Sequence, residues 1–161
     1  MATSIIRVEN LWYLQRLQSI DNDSYSPLDE GSWSHLMKGG FVWLLSMNAV
    51  PVGYLAAAMT DKPDELIIHR VVVARAYRRM GVSRELLKRA TDECRVKHKV
   101  IKKLVMLVPE HACRPDSADR VDQWLLATGF NPTGIEDRDA VEAYGKTWDV
   151  FRFVREVPNA T

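Results

Sequence analysis

The residues best suited to chemistry form a short basic turn that contains one glycine. They are Arg78, Arg79, Met80, Gly81, Val82 and Ser83. A turn of this kind in front of a helix presents unpaired backbone N–H groups, and the helix macrodipole adds partial positive charge there. Gly81 allows the backbone to approach a ligand closely, and Ser83 is small for the same reason. We therefore expect this turn to bind a phosphate or pyrophosphate.

The segments on either side of the turn differ in hydrophobic period. Residues 66–73 are apolar and mostly β-branched apart from His69 and Arg70, which is typical of a strand covered on both faces. From Val82 onward apolar residues recur at helical spacing, so the sequence predicts strand, turn and helix in that order. Neither a P-loop pattern nor a G-x-G-x-x-G pattern occurs, which disfavours a nucleotide hydrolase or a dinucleotide enzyme. An ordinary solvated turn is the alternative interpretation.

Length and charge limit the classes of protein to consider. We expect a single domain over residues 1–161, because 47% hydrophobic content is enough for one core of this size. The formal net charge of +1 conceals twelve Lys or Arg against three acidic residues in residues 70–103, and four against eight in residues 1–69. A cationic middle segment suits a polyanion, and an acidic N-terminal part suits a cationic partner. Solvated surface is the alternative for any one of these charges.

Metal, membrane and nucleic-acid functions are less well supported. Two cysteines form no disulfide framework and no apolar run reaches the ~20 residues of a membrane span, so we expect a cytoplasmic protein. A zinc site is disfavoured and we expect no metal, because Cys94 lies on an apolar stripe and His98 among lysines; the ligands considered are Cys94, His98, His111 and Cys113. Nucleic-acid binding along residues 84–103 is an alternative, although no aromatic residue is interleaved there.

Patterning elsewhere predicts an α/β (α+β) domain of seven strands and four helices. Strands are expected at residues 4–8, 41–47, 50–59, 66–73, 104–108, 132–135 and 146–154. Helices are expected after Asn10, from about Asp29, from Val82, and around residues 121–125. A charged connection, residues 136–145, is expected between the last two strands.

The turn and its flanking elements resemble the acyl-CoA signature of the GNAT superfamily of N-acetyltransferases. That signature is R-x-x-G-x-[GA] after a β-branched strand and before a Leu-Leu helix, and here it reads Arg78, Gly81, Ser83 and Leu86-Leu87. The order of predicted elements is also similar to the GNAT arrangement over roughly residues 4–155. The resemblance implies a GNAT fold, a mixed and mostly antiparallel seven-stranded sheet flanked by four helices, with the fourth and fifth strands parallel and splayed. It also implies acetyl-CoA as co-substrate.

The resemblance implies roles for the strand that precedes the turn. The pantetheine arm would pair with the backbone of three residues, Val71, Val72 and Val73, and a backbone N–H near Val71 would polarise the thioester carbonyl. In the arylalkylamine branch of the family, a histidine at the place of His69 helps to carry a proton away. Strand alternation would put Ile67, His69, Val71 and Val73 on one face. We therefore expect His69 to be the general base, since imidazole suits proton transfer near neutral pH.

Other site residues are expected with less direct support. Glu110 and His111, just after the fifth strand, are alternative bases, and His69 could instead be a hydrogen-bonded core histidine. The family places two connections beside the thioester, which implies that Tyr25 and Tyr144 line the acceptor entrance. Asp21 and Asp23 would attract a cationic amine there. The position of the tyrosine that serves as an acid in many members is occupied here by Leu125, so the resemblance does not supply the usual acid.

These features together predict transfer of an acetyl group from acetyl-CoA to a primary amine by direct attack. The amine would belong to a protein N-terminus, a lysine or a small molecule. A CoA-binding subunit without turnover and a basic adaptor for nucleic acid or an acidic protein are the alternatives. A homodimer is also left open.

Overall fold

A seven-stranded sheet forms the centre of the molecule. The computed structural model describes residues 3–24, 27–113, 121–143 and 145–158. The strands are β1 (Thr3–Val8), β2 (Phe41–Met47), β3 (Val50–Met59), β4 (Glu65–Val73), β5 (Lys103–Pro109), β6 (Asn131–Ala143) and β7 (Lys146–Glu156). The helices are α1 (Leu14–Asp21), α2 (Glu30–Gly39), α3 (Val82–Lys97) and α4 (Val121–Ala127), with 3-10 turns at Leu11–Tyr13, Arg75–Tyr77 and Glu110–Cys113.

The strand order confirms the expected mixed sheet and the separation of its two central strands. The order is β1-β2-β3-β4-β5-β7-β6, and among the strands of the described residues only β4 and β5 run parallel. Their pairing covers three residues, Glu65–Ile67 against Lys103–Val105. Beyond Ile67, β4 continues to Val73 beside β3, and β5 continues to Pro109 beside β7. The two strands therefore splay apart toward their carboxyl ends.

The helices cover the two faces of the sheet with separate cores. On one face α3 packs Leu86 and Leu87 against strand residues such as Leu55 and Ile68. On the other face α1 and α2 pack against β2, β3 and β4, through residues that include Leu17, Ile20, Trp33, Tyr54 and Val72. None of the described helices is long and apolar enough to span a bilayer.

Close contact between α3 and β3 fixes the start of α3. A Cβ atom on Gly53 would lie 2.6 Å from Val82 Cγ1 and 3.3 Å from Leu86 Cδ1. Only glycine therefore lets the first turn of α3 lie directly on β3. The basic turn immediately precedes Val82, so its position relative to the sheet depends on this contact.

The predicted connection between the last two strands was wrong. Residues 136–143 belong to β6, which pairs with β7 up to Ala143 and Lys146. Residues 131–140 are all exposed, so no alternation of buried and exposed side chains marked the strand in the sequence. Three register shifts interrupt the β6–β7 ladder and further weaken the pattern.

The contact at Gly53 leads to a stability prediction. Gly53→Ala should lower the free energy of unfolding by about 1–3 kcal/mol, because overpacking a well-packed contact strains it. Val82 is β-branched and has little rotamer freedom with which to avoid the added methyl group. Urea denaturation followed by circular dichroism would measure the change.

Gly39→Ala is the matched control for that experiment. A Cβ atom on Gly39 meets nothing within 4 Å, and the residue ends α2. Its stability should be unchanged or slightly higher, since alanine has the better helix propensity. If Gly53→Ala were as stable as the wild type, the packing of α3 on β3 would not require glycine at this position.

Candidate functional site

The basic turn has the backbone conformation of an anion-binding loop. After the 3-10 turn at Arg75–Tyr77, Arg79 and Gly81 take positive φ angles of 65° and 79°. Gly81 is the N-cap of α3 in the left-handed region, and a Cβ atom there would point into open space. The first intrahelical bond of α3 runs from Glu85 N to Gly81 O, 3.1 Å. The N–H groups that precede it have no partner within the helix and can be offered to a ligand.

Arg78 is held by contacts within the protein. Its guanidinium donates from Nε to Val73 O at 3.1 Å and from Nη2 to Asp23 O at 2.9 Å. Asp23 also accepts from Arg75 N through Oδ2 at 2.9 Å. The side chain of Arg78 therefore ties the turn to the end of β4 and to the α1–α2 connection, whereas Arg79 is exposed.

Asp21 joins α1 to the sheet through a buried polar network. Its side chain accepts at Oδ1 from Tyr54 Oη and from Arg70 Nη2 at 2.8 Å, and at Oδ2 from Leu28 N at 2.7 Å. Burial raises the pKa of Tyr54 well above its ordinary value of 10.0, so the phenol remains a donor. Arg70 also donates to Ser24 Oγ at 3.0 Å.

This network corrects the expected role of the acidic residues. Asp21 is 1% exposed and fully engaged by protein groups, so the prediction that it attracts a cationic substrate was wrong. The carboxylate of Asp23 likewise binds the backbone of the basic turn. Both residues hold the α1–α2 connection in place, because formal charge in the sequence does not reveal which carboxylates are buried.

His69 lies in a β-bulge of β4. Ala57 pairs with Ile68 and Ala56 pairs with Arg70, which leaves His69 as the extra residue. The bulge shifts the alternation by one position, and His69 and Arg70 therefore both line the pocket beneath α2. Val71 and Val73 pack instead against the core under α3. The prediction that His69, Val71 and Val73 share a face was therefore wrong.

A pocket of about 530 Å³ lies between α2 and β4. It is lined by Leu28, Asp29, Gly31, Ser32, His35, Leu36, His69 and Arg70. Ser32 N donates to Asp29 Oδ1 at 2.8 Å, which caps α2 and lowers the pKa of Asp29. Arg70 is paired with Asp21, and His35 and His69 are the two imidazoles of the lining.

One histidine of this pocket changes the pKa of the other. His69 is exposed at the pocket's opening, but the partial burial of its ring lowers its pKa below the ordinary 6.5. The charge of His35 on α2 lowers the pKa of His69 further. His35 was missed from the sequence, because only the fold brings α2 over β4 and no local pattern links the two positions.

The alternative bases Glu110 and His111 are not among the residues that line this pocket. Glu110 is half-buried in the 3-10 turn after β5, and the ring of the adjacent His111 lies 5.9 Å from that of Trp148. Tyr25 and Tyr144 lie outside the described residues. Leu125 has no exposed surface and packs within the core, and its side chain carries no proton to donate.

The zinc ligands considered from the sequence do not assemble. In the part of the chain that the structure describes, no three side chains among His, Cys, Asp and Glu form a metal-binding group. Cys94 is buried, and burial raises the pKa of its thiol to about 11, which disfavours the thiolate that zinc requires.

Comparisons with known proteins agree with this architecture. The model of the acetyltransferase (GNAT) family matches residues 8–116. The *Escherichia coli* ribosomal-protein-S18-alanine N-acetyltransferase superposes with a TM-score of 0.74 at 18% identity, over 99% of this chain and 97% of that chain. No curated protein sequence matches significantly.

Two further solved structures have the same fold with bound ligands. An *Elizabethkingia anophelis* GNAT family acetyltransferase with acetyl-CoA bound gives a TM-score of 0.68 at 17% identity, over 96% of this chain and 98% of that chain. Arabidopsis thaliana Naa50 in complex with the bisubstrate analogue CoA-Ac-MVNAL gives a TM-score of 0.70 at 17% identity, over 96% of this chain and 99% of that chain. Since the family model covers more than half of the sequence, the chain belongs to the GNAT family of acetyltransferases.

Proposed function

We propose that this protein transfers an acetyl group from acetyl-CoA to a primary amine by direct attack in a ternary complex. The observation that carries the proposal is the three-residue pairing of β4 with β5, after which the strands diverge. The edge of β4 that turns away from β3, from Val71 to Val73, has no β5 partner in the described residues. Backbone N–H and C=O groups on such an edge suit the amides of a pantetheine arm, which would extend the sheet as a short strand.

The basic turn supports binding of the CoA diphosphate at the start of α3. The left-handed Gly81, the open space beside it and the first-turn N–H groups favour an anion there. The exposed Arg79 adds charge, and the engaged Arg78 holds the turn rigid against β4. A diphosphate at this place would direct the rest of CoA along the cleft between β4 and β5.

The pocket between α2 and β4 is the proposed acceptor site, with His69 as the base. An amine attacks only after losing a proton, and its pKa is about 10.4 for lysine or about 7.7–8.0 for a protein N-terminus. The lowered pKa of His69 keeps the imidazole neutral at pH 7, so it can accept that proton directly or through one water. Glu110 and Tyr144 remain weaker candidates for catalytic roles, and His111 is a further alternative base.

Two other groups contribute to the proposed chemistry. A backbone N–H near Val71 would polarise the thioester carbonyl as negative charge develops on its oxygen. The departing thiolate receives no proton from Leu125, but a thiol with a pKa of about 8.5 leaves reasonably well as the anion. The missing acid would therefore cost about 10²-fold in rate, which weakens turnover without abolishing it.

The acceptor belongs to one of three amine classes, namely a protein N-terminus, a lysine or a small amine. The *E. coli* neighbour is named for acetylation of a ribosomal-protein alanine, which supports the first class. We also propose a cytoplasmic location. A CoA-binding subunit without turnover is the second candidate function, and the observation that favours it is the fully buried Leu125 at the place of the usual acid.

Loss of the glycine in the turn should abolish co-substrate binding. Gly81→Glu places a carboxylate in the proposed anion site and strains a backbone with a φ of 79°. Isothermal titration with acetyl-CoA should detect no binding, while circular dichroism shows a folded protein. Gly134→Glu is the control, because Gly134 also has a positive φ, 147°, and open surroundings but lies on β6 at the edge of the sheet. Equal affinity of the two variants would remove the diphosphate from this turn.

His69→Ala should lower kcat by about 10²-fold or more, with acetyl-CoA affinity retained. A general base must be unprotonated, so the wild-type rate should fall as the pH drops through the pKa of His69, which lies below 6.5. This acidic limb should be absent in the variant. Initial rates on a panel of primary amines would measure both effects. If the limb persisted in His69→Ala and disappeared in Glu110→Gln, Glu110 would be the base instead.

His35→Asn should move the acidic limb to higher pH. The charge of His35 lowers the pKa of His69, so its removal lets that pKa rise toward the ordinary 6.5. The pH dependence of kcat, measured with the same amines, would report the shift. Gly31→Ala is a control at another lining residue, because its added Cβ atom meets only Asp29 Oδ1, at an ordinary contact distance of 3.6 Å. A limb that stayed in place in His35→Asn would show that the two imidazoles act independently.

A further inference from the structure

One polar contact joins α4 to the basic turn. The indole of Trp124 on α4 donates from Nε1 to Ser83 Oγ at 3.0 Å. Ser83 is the second residue of α3 and is half-buried. The Trp124 ring stacks on Phe130 with centroids 6.4 Å apart and packs against the core, so its N–H has a fixed direction.

The chemistry of this contact leaves Ser83 with a hydrogen to donate. A hydroxyl has one donor and two acceptor positions, whereas the indole N–H is a donor only. Trp124 therefore occupies an acceptor position of Ser83. Within the described part of the chain, the Ser83 hydroxyl donates to no protein group. Ser83 belongs to the first turn of α3, whose N–H groups precede the Glu85–Gly81 bond and are where an anion would be bound.

We propose that the Ser83 hydroxyl donates a hydrogen bond to a phosphate oxygen of the CoA diphosphate, and that Trp124 is the positioning residue that orients it. This inference rests on the proposed function and extends it. The signature that the chain resembles has Gly or Ala at this position, neither of which has a side-chain donor. Arg78 already donates two of its N–H groups to the carbonyl oxygens of Val73 and Asp23, so an added donor in this turn would offer the phosphate a further hydrogen bond.

The test is a comparison of CoA affinities by isothermal titration. Ser83→Ala should bind CoA roughly ten- to hundredfold more weakly, which is the usual effect of one hydrogen bond to a charged group. Ser83→Thr keeps the hydroxyl and should retain most of the affinity. Trp124→Phe keeps an aromatic ring but removes the N–H, so it should lose several-fold. The double variant should bind no more weakly than Ser83→Ala, because Trp124 acts only through the hydroxyl.

A second ligand separates a direct contact from a general disturbance. S-acetylpantetheine lacks the diphosphate, so it should bind the wild type and Ser83→Ala equally. Thermal melts of each variant would report any loss of packing independently of ligand binding. Equal weakening of both ligands in Ser83→Ala would overturn the inference, and so would a Trp124→Phe effect that persists in the Ser83→Ala background.

Ligand binding by the wild type and by Ser83→Ala together separates a failure of this inference from a failure of the proposed function. Wild-type CoA affinity in Ser83→Ala would overturn the role of the hydroxyl and leave the proposed function standing. Binding of neither ligand by the wild type would overturn the proposed function, and the inference with it.

Discussion

Parallel pairing between β4 and β5 ends at Ile67, and the arrangement of the whole site depends on that ending. Two residues later β4 contains its bulge at His69, and a bulge bends and twists the strand that carries it. β5 meanwhile stays paired with β7 along its full length. The bulge thus bends β4 away while β7 keeps β5 in place. The same bulge that separates the two strands also exposes the imidazole of His69.

Polar contacts stabilise the end of the sheet where β4 and β5 no longer pair. The carboxylate of Asp21 connects α1 to β3 and β4, and Asp23 with Arg78 connects the α1–α2 connection to the basic turn. A buried pair such as Asp21 with Arg70 is costly to break, at about 3–5 kcal/mol, because one charge is left without its partner. The pocket between α2 and β4 and the basic turn therefore belong to one connected framework.

The sequence predicted most of the architecture because apolar periodicity and turn residues agree with it. The expected strands at 41–47 and 50–59 and the helix from Val82 match the observed elements, and the splayed central strands followed from the family resemblance. Hydrophobic periodicity appears only where a strand buries one face. Residues 131–140 of β6 are all exposed, so the sequence did not reveal the full length of that strand. The basic turn was recognisable because its glycine and arginines are contiguous in the chain.

Features that depend on tertiary contacts could not be predicted in this way. The role of Gly53 requires α3 to lie across β3, and the effect of His35 on the pKa of His69 requires α2 to cover β4. The burial of Asp21 follows from the direction in which α1 ends, which its charge does not reveal. Strict alternation also fails at a bulge, and one extra residue was enough to assign His69 and Val71 to the same face.

The position of His69 has a consequence for how fold and chemistry are divided along β4. Ile68 and Arg70 already pair with the adjacent residues Ala57 and Ala56, and they face opposite sides of the sheet. If residue 69 were deleted, these flanking segments would join in phase as a continuous ladder, with every other side chain on its present face. His69 is therefore supernumerary to the strand pairing, since the β3–β4 ladder closes on both sides of it without its backbone.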